Sequence, residues 1–421
     1  MDKPGHQKGK AALGFIFITL FIDVLGLGII IPILPKLLEQ LAHVDLSTAT
    51  QISGYLTFTY ASMQFLFSPV LGNLSDRFGR RPILLGSLLG FGIDYLFMAF
   101  APSLFWLFIG RVIAGVAGAS STTATAYIAD VSTGDKRAAN FGLVGAASGL
   151  GFILGIGMGG FLGAISVKLP FIVAAGLALL NALYGFFVLP ESLAPENRRK
   201  FEWKRANPIS ALTRLGKYDI SISTLITAFT IVYIGQKAVE STLPFFLIEK
   251  YQWTLSSISG LGIFIGILLV GIQGGLIRIV IPKLGLEKSV ITGMAFYTIG
   301  LIFISFNNIG WMMYVYMIPY CLGGISGPAL QGFITEKIAP NEQGELQGAL
   351  TSLVSVTTII GPLLMTSLFH HFTMKGAPVY FPGAPYLMGA VLMLLSILLA
   401  IRSFKKAESS KQETENSKLK A

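Results

Sequence analysis

Three ionisable residues stand inside strongly apolar segments of this sequence. Asp23, Asp94 and Arg111 have neighbours that are almost all hydrophobic or glycine. Because a charged side chain within a bilayer costs roughly 2.5 kcal/mol or more, such a residue needs either a function or a partner. Two carboxylates and a guanidinium can exchange protons, form an ion pair or contact a polar ligand.

The same three residues indicate one common depth. With about 1.5 Å of rise per helical residue, Asp23 lies about 18 Å, Asp94 about 20 Å and Arg111 about 18 Å from one face of a membrane about 30 Å thick. A level near the midplane is where a carrier binds its substrate and coupling ion. One aspartate could stay paired with Arg111 while the other exchanges protons. The alternatives are a structural ion pair of Asp94 with Arg111 and, for Asp23, a hydrogen-bonded contact between helices.

Four more polar residues interrupt apolar segments. Lys237 and Glu240 are three residues apart, so they share a helix face and can neutralise each other. A pair whose long side chains reach toward the membrane surface is at least as good an interpretation as a substrate-binding site. Gln64 and Gln236 are amides within such segments, and Gln64 can serve as an interhelical hydrogen-bonding group.

The elements that position these residues must be membrane helices. Hydrophobic residues make up 53% of the chain and charged residues 12%, and the mean hydropathy is +0.70, which excludes an ordinary soluble domain. Apolar segments long enough to cross a bilayer recur along the chain. The sequence therefore predicts an all-α membrane protein with twelve transmembrane helices. The predicted segments are 11–34, 51–71, 81–100, 103–128, 138–163, 169–189, 219–246, 256–281, 288–306, 309–334, 345–369 and 384–403.

The basic residues predict the orientation in the membrane. With the amino terminus in the cytoplasm, 25 of the 31 Lys and Arg residues fall in the termini and the connections on that side. This asymmetry predicts that both termini are cytoplasmic, and it explains the net charge of +10 without a nucleic-acid partner. The first segment has no small-residue cleavage site, so it is expected to be a retained helix. The single cysteine, Cys321, is expected to serve packing.

A highly charged stretch, GNLSDRFGRRP at 72–82, lies between the second and third segments. Gly72 and Gly79 allow close backbone approach and positive φ, and Asp76 can accept hydrogen bonds from a helix amino terminus. Three arginines can anchor the turn at an anionic inner leaflet; they are Arg77, Arg80 and Arg81. We expect a cytoplasmic hinge between two membrane helices here, and the alternative is that its charges only set the topology.

The chain divides into two halves of six segments each. The stretch AYIADVSTGDKRAANFG at 126–142 aligns without gaps on GFITEKIAPNEQGELQG at 332–348, which lays Asp130 on Glu336. The predicted domains are an N-terminal bundle at 1–189, a cytoplasmic linker at 190–218, a C-terminal bundle at 219–404 and a disordered cytoplasmic tail at 405–421. Two such bundles around a central cavity are typical of transporters.

Several stretches resemble those of a known family. They are GNLSDRFGRRP at 72–82, FIDVLGLGIIIPILP at 21–35, GIDYLFMAF at 92–100, GRVIAGVAGA at 110–119, and PALQG, GELQGAL and GPLL in the second half. With them the chain resembles the major facilitator superfamily, and within it the proton-coupled drug antiporters that include the bacterial tetracycline efflux pumps. The resemblance covers nearly all twelve segments.

This resemblance implies two pseudo-symmetric bundles that export a drug in exchange for protons by alternating access. It implies that Asp23, Asp94 and Arg111 couple protons to transport. It also implies that the charged turn is a latch, with Asp130 as its partner, that is released during transport. Together with the polar residues above, the candidate substrate-binding set is Asp23, Gln64, Gln236, Lys237, Glu240 and Gln331.

The chain also departs from this family. Gly155 is followed by Ile156, where the antiporter signature has proline, and Leu269 and Tyr297 stand where well-studied tetracycline pumps carry a histidine and an aspartate. The predicted substrate is therefore the wider class of hydrophobic, cationic or metal-chelated drugs that resemble tetracycline. A cavity walled by aromatic and thioether side chains suits such amphipathic compounds.

Two alternatives remain at this point. A proton-coupled symporter or a uniporter of a nutrient or metabolite has the same fold. A membrane enzyme could use a serine in GISG at 324–327, but the four histidines fall in termini or loops and supply no base. We expect a monomeric transporter in the cytoplasmic (inner) membrane, not an enzyme, with protons as the coupling ion and without cofactor, metal or nucleic acid.

Overall fold

The computed structural model describes residues 4–132, 134–203, 207–208, 214–339 and 342–419, and every regular element in these ranges is helical. The first six long helices are α1 Pro4–Ala42, α2 Leu46–Phe78, α3 Arg80–Phe100, α4 Leu104–Val131, α5 Gly134–Ile165 and α6 Leu169–Val188. The next six are α7 Ile220–Tyr251, α8 Leu255–Leu284, α9 Leu286–Phe306, α10 at 312–336, α11 Gln343–Thr373 and α12 Ala384–Leu419. Each of the twelve predicted segments falls on one of them.

Ten of these helices are long and apolar enough to cross a membrane, all except α2 and α10. α2 has 33 residues but carries many hydroxyl and amide side chains. α10 is interrupted by a short 3-10 turn, Gly323–Ile325, between the helices Met312–Leu322 and Ser326–Glu336. α2 is therefore too polar, and α10 too interrupted, to count as a long apolar span. Both are nevertheless helical at the predicted places.

The chain forms two compact units. The first comprises Met1–Pro208 and Gln252–Gly266, and the second comprises Ile209–Tyr251 and Ile267–Ala421. The beginning of α8 thus belongs to the first unit, where the sequence predicts only residues up to 189. It packs on α5, since a Cβ at Gly262 would lie 2.5 Å from Ile156. In the predicted linker, residues 204–206 and 209–213 lie outside the described residues.

Glycines bring α1 and α5 into close contact within the first unit. A Cβ at Gly155 would lie 2.2 Å from the carbonyl oxygen of Leu25, so only glycine fits there. A Cβ at Gly151 would lie 2.5 Å, and one at Gly159 2.6 Å, from a carbonyl oxygen of α1; these glycines are one turn away on either side. The glycine-rich stretch at 149–160 is therefore a helix-packing surface, because small residues let backbones approach in membranes.

The two units repeat the same pairing of helices. α1 packs on α5, and α3 on α4 and α6, in the first unit; α7 packs on α11, and α9 on α10 and α12, in the second. The alignment that lays Asp130 on Glu336 also lays Gly79 on Gly285, and both glycines have positive φ, 103° and 77°. α3 and α9, which follow them, are both 21 residues long. The internal repeat is therefore structural as well as sequential.

The chain after 405 differs from the prediction. α12 continues to Leu419, where the sequence predicts a disordered tail; residues 420–421 lie outside the described residues. The physical reason is composition, because the stretch is rich in Lys and Glu, which are good helix formers.

Candidate functional site

The buried ion pair of the first unit joins α3 and α4. Asp94 accepts a hydrogen bond from the Arg111 guanidinium, and their side chains are 1% and 10% exposed. A Cβ at Gly110 would lie 2.8 Å from Asp94 Oδ1, so this glycine gives the carboxylate room against α4. Asp94 Oδ1 and Arg111 Nε have no hydrogen-bond partner within the described residues. The pair is thus neutralised but incompletely satisfied.

Asp23 differs from Asp94 because no counter-charge among the described residues lies at hydrogen-bonding distance. Its Oδ1 atom is buried and has no hydrogen-bond partner in the same residues. Asp23, Asp94 and Arg111 all act electrostatically on the phenol of Tyr60, which places the three groups around one side chain of α2. An unpaired carboxylate beside a neutral ion pair is a chemical arrangement that can take up and release a proton.

Tyr60 and Gln64 form the α2 side of this cluster. Gln64 Nε2 donates to the hydroxyl of Tyr60 at 3.4 Å and to the carbonyl of Gly118 at 3.2 Å. The Arg111 guanidinium lies 6.0 Å from the Tyr60 ring centroid, a cation–π contact. Gln64 is therefore both an interhelical hydrogen-bonding group and a neighbour of the ionisable cluster, so the two interpretations of this residue are compatible.

Two tyrosines of this site were missed in the sequence. Tyr60 lies as described above, and the hydroxyl of Tyr95 would collide at 1.8 Å with a Cβ at Gly26, one helical turn after Asp23. Tyr95 is also in electrostatic range of Asp23, Asp94 and Arg111. A tyrosine in an apolar segment is normally interpreted as a packing residue. Only the position of Tyr95 next to Asp94 could have indicated a place in the ionisable site.

In the second unit, α7 presents a separate polar cluster. Gln236 Nε2 donates to the hydroxyl of Tyr297 on α9 at 3.1 Å. Lys237 donates to the Glu240 carboxylate, so the predicted pair is formed. Gln331 does not join these residues; it donates to Gln347 Oε1 at 2.5 Å, near the end of α10. The candidate substrate residues thus fall into separate groups within their units.

Arg80 is the centre of the charged turn. Its Nη1 atom donates to Ser75 Oγ and to Asp76 Oδ1, both at 2.6 Å, and its Nε donates to Asp130 Oδ2 at 3.3 Å. The side chain of Arg80 is 11% exposed. Asp130, the partner implied by the family resemblance, is therefore connected to Asp76 through this guanidinium rather than directly.

The expectations for the glycines and for Asp76 need correction. Gly72 lies inside α2, where a Cβ would meet Thr122 Oγ1 at an ordinary 3.8 Å, so only Gly79 uses its freedom. α2 continues to Phe78 because Gly79 alone makes the turn. Within the described ranges the Asp76 carboxylate binds Arg80 and caps no helix.

The other two arginines of the turn pack on aromatic rings. Arg77 lies 4.9 Å from the ring centroid of Phe78, and Arg81 lies 5.8 Å from that of Phe186. Arg81 also donates to the carbonyl oxygen of Phe186, the last turn of α6. Arg81 therefore attaches the start of α3 to the end of α6.

The residue that caps α3 is Glu191, which the sequence did not indicate. Its carboxylate accepts hydrogen bonds from the backbone N–H groups of Arg80 at 2.8 Å and Arg81 at 3.2 Å. It also accepts from the N–H groups of Ser192 and Leu193, each at 3.0 Å. A carboxylate at a helix amino terminus satisfies free donors and compensates the helix dipole. The two basic residues that open α3 make this negative charge more necessary.

The residues after Glu191 continue along the turn, and we name residues 190–203 the strap. Arg199 N donates to the carbonyl of Asp76 at 3.0 Å, and Asn73 Nδ2 donates to the carbonyl of Glu202 at 2.7 Å. Between the strap and the turn lies a polar pocket of about 560 Å³. Its lining residues are Asp76, Arg80, Asp130, Leu193, Glu196, Asn197, Arg198 and Arg199.

We expect Glu191→Gln to loosen the strap and the start of α3. The glutamine keeps one acceptor oxygen but loses the charge, and its NH₂ group faces backbone donors; the free energy of unfolding should fall by about 1–3 kcal/mol. Trypsin cleavage after Arg198 and Arg199 and hydrogen exchange at the Arg80 and Arg81 amides should both accelerate. Glu196→Gln is the matched control, because this strap glutamate makes no side-chain hydrogen bond in the described part of the chain. Equal cleavage rates in both variants would contradict the role of Glu191.

The membrane-enzyme alternative finds no support at its proposed serine. Ser326 is fully buried and its hydroxyl donates to the carbonyl of Gly323 at 2.8 Å. A Cβ at Gly293 would lie 2.7 Å from Ser326 N, so this stretch brings α9 and α10 together. Among the described residues there is also no group of His, Cys, Asp and Glu side chains that could hold a metal ion. Cys321 is buried and free, consistent with packing.

Comparisons with known proteins point to transporters. The family model described as Major Facilitator Superfamily matches residues 16–318 and 279–421. The class C tetracycline resistance protein of Escherichia coli is 39% identical over 93% of this chain and 96% of its own length. Multidrug resistance protein 2 of Bacillus subtilis is 30% identical over 93% and 97%. The crystal structure of the human organic anion transporter MFSD10 has a TM-score of 0.69 at 22% identity, covering 95% of this chain and 100% of that one.

Proposed function

Because this chain belongs to the major facilitator superfamily and is a membrane transporter rather than an enzyme, we propose that it exports tetracycline-like drugs in exchange for protons. The similarity to tetracycline and multidrug resistance proteins supports the substrate class. The observation that carries the proton coupling is the unpaired Asp23 carboxylate beside the buried Asp94–Arg111 pair.

In this proposal the first unit handles the proton. Asp23 binds and releases it, because no described residue supplies a counter-charge at hydrogen-bonding distance. The equilibrium between its charged and neutral forms therefore responds to changes in the solvation of the site. Asp94 and Arg111 hold a neutral pair whose remaining unpaired atoms can bind polar groups of the substrate. Gln64 and Tyr60 connect both to α2. Alternating access then exposes Asp23 to one side of the membrane and the other in turn.

The second unit contributes substrate contacts through α7. Gln236, Lys237 and Glu240 supply an amide and two charges, and Tyr297 supplies an aromatic face. Such a mixture of apolar walls and a few polar groups suits an amphipathic drug. Gln331 is proposed as a substrate contact only when its hydrogen bond to Gln347 opens.

The charged turn is proposed as the gate. Arg80 joins Asp76 and Asp130 by two ion pairs, and a lock of this kind must break when the first unit changes conformation. Its charges, together with the asymmetry of basic residues, support an orientation with both termini in the cytoplasm. The protein is proposed to work as a monomer in the inner membrane, with protons as the coupling ion and without a cofactor.

The experiment that tests this function uses purified protein in proteoliposomes with an imposed pH gradient. Tetracycline with Mg²⁺, and ethidium in a parallel series, are added while internal pH and drug uptake are recorded. We expect drug uptake and proton flux in opposite directions. Flux of both in the same direction would identify a symporter, and drug movement that ignores the gradient would identify a uniporter; either result overturns the proposal.

A further inference from the structure

The Lys237–Glu240 pair is strongly asymmetric. The Lys237 side chain is 11% exposed and the Glu240 side chain is 53% exposed. A Cβ at Gly361 of α11 would lie 2.5 Å from Lys237 Cγ, so the lysine stem is packed against this glycine. Glu240 is the one ion-pair partner of Lys237 in the part of the chain that the structure describes. The cation is therefore fixed, and the carboxylate is the accessible member.

Three tyrosines of the second unit lie within electrostatic range of the accessible carboxylate. Glu240 acts electrostatically on the phenols of Tyr233, Tyr297 and Tyr320, which come from α7, α9 and α10. The rings of Tyr297 and Tyr320 meet edge to face with centroids 5.1 Å apart. Tyr297 also accepts a hydrogen bond from Gln236, one helical turn before Glu240. Aromatic faces and phenol oxygens near a carboxylate are groups that bind an alkylammonium ion.

Charge balance restricts which ligand can use this arrangement. A simple cation that binds Glu240 would compete with Lys237 and leave the buried ammonium without a counter-charge. Removing one partner of a buried ion pair is strongly unfavourable, because the other charge stays desolvated. A ligand that carries both an ammonium group and an acidic oxygen can pair its ammonium with Glu240 and its oxygen with Lys237. Neither side chain is then left without a counter-charge.

We propose that Lys237 and Glu240 form a subsite for zwitterionic substrates, which opens to take the ligand's ammonium group on Glu240 and its acidic oxygen on Lys237. The inference rests on the proposed export function and specifies its substrate chemistry. It assigns Tyr233 and Tyr297 as the aromatic partners of the ammonium group. No bond is made or broken, and the site remains neutral before and after binding.

The test compares ligands that differ only in the ammonium group. The probes are tetracycline, its derivative that lacks the dimethylamino group, and ethidium as a permanent cation without an acidic oxygen. Equilibrium binding to the purified protein in detergent is measured, so the result does not depend on proton coupling. We expect the wild-type protein to bind tetracycline about tenfold more tightly than the derivative.

Glu240→Gln should weaken tetracycline binding about tenfold and leave the derivative and ethidium within about twofold. Since Lys237→Gln could impair folding, the exchanged pair Lys237→Glu with Glu240→Lys serves as the second variant; it keeps both charges and should recover part of the tetracycline affinity. Thermal unfolding of every variant is recorded. Glu287→Gln, on α9 about three helical turns before Tyr297, is the control: it also removes a carboxylate and should affect all three ligands alike.

The outcomes separate this inference from the export function. Equal affinity of the wild type for tetracycline and its derivative, or equal losses for both in Glu240→Gln, overturns the subsite. Loss of ethidium binding in Glu240→Gln would identify a plain cation site and also overturns it. A wild type that binds neither tetracycline nor its derivative overturns both proposals, whereas selective tetracycline binding without proton-driven transport overturns the export function alone.

Discussion

Asp23→Asn is expected to abolish uphill, proton-driven transport while the protein stays folded. The asparagine cannot release a proton, so the gradient no longer drives the cycle. Because Asp23 has no ion-pair partner within the described residues, no counter-charge is stranded, and the free energy of unfolding should change by less than about 1 kcal/mol. Drug accumulation in proteoliposomes under a pH gradient measures the first effect, and thermal unfolding in detergent measures the second.

Exchange of labelled for unlabelled drug without a gradient provides the control for Asp23→Asn. Exchange needs substrate binding and conformational change but no net proton movement, so it should persist in this variant. Substitution with glutamate, which retains the proton-binding group, should restore part of the uphill transport. Normal uphill transport by Asp23→Asn would assign proton coupling to another residue.

Asp94→Asn is expected to be far more damaging to the fold. It leaves the Arg111 guanidinium buried without a carboxylate, and breaking a buried pair by removing one partner lowers the free energy of unfolding by about 3–5 kcal/mol. The amount of protein in the membrane and its unfolding temperature should both fall. The measurement is the unfolding temperature of the solubilised protein, compared with that of Asp23→Asn.

The double variant Asp94→Asn with Arg111→Gln separates structure from transport for this pair. Removing both charges together should recover most of the lost stability, because no lone charge remains. Transport should stay absent if the pair also binds substrate or steers the proton at Asp23. A stable, fully active double variant would instead mean that Asp94 and Arg111 serve the fold alone.

Much of the fold could be predicted because membrane helices follow from composition. Apolar length fixes the twelve segments, and a charge inside them must find a partner, which is why Asp94 and Arg111 could be paired from sequence. Gly72 shows the limit of such arguments. Its residue type permits an unusual backbone conformation, but whether the chain uses it depends on where α2 ends.

The contacts that sequence reasoning missed share a long separation along the chain. Glu191 lies 111 residues after Arg80 and accepts a hydrogen bond from its backbone N–H. In the sequence, a lone glutamate in a polar connection looks like a solvated side chain. Tyr60 is recognised as part of the site because its ring lies near Arg111 of α4. No pattern within α2 distinguishes it from a packing tyrosine. The continued helix after 405 is a third case, since polarity alone does not decide between coil and helix.

The two glycine turns, at Gly79 and Gly285, have the same backbone and different chemistry. At Gly79 a carboxylate stands where a Cβ would be, 2.2 Å away, and four charged side chains close around the turn. At Gly285 a Cβ would meet open space, and neither Lys283, Glu287 nor Lys288 forms an ion pair in the described chain. The two halves thus share one turn geometry, and the electrostatic lock is built in the described residues of the first half alone. Replacing a charged side chain should therefore cost little at the second turn and should open the lock at the first.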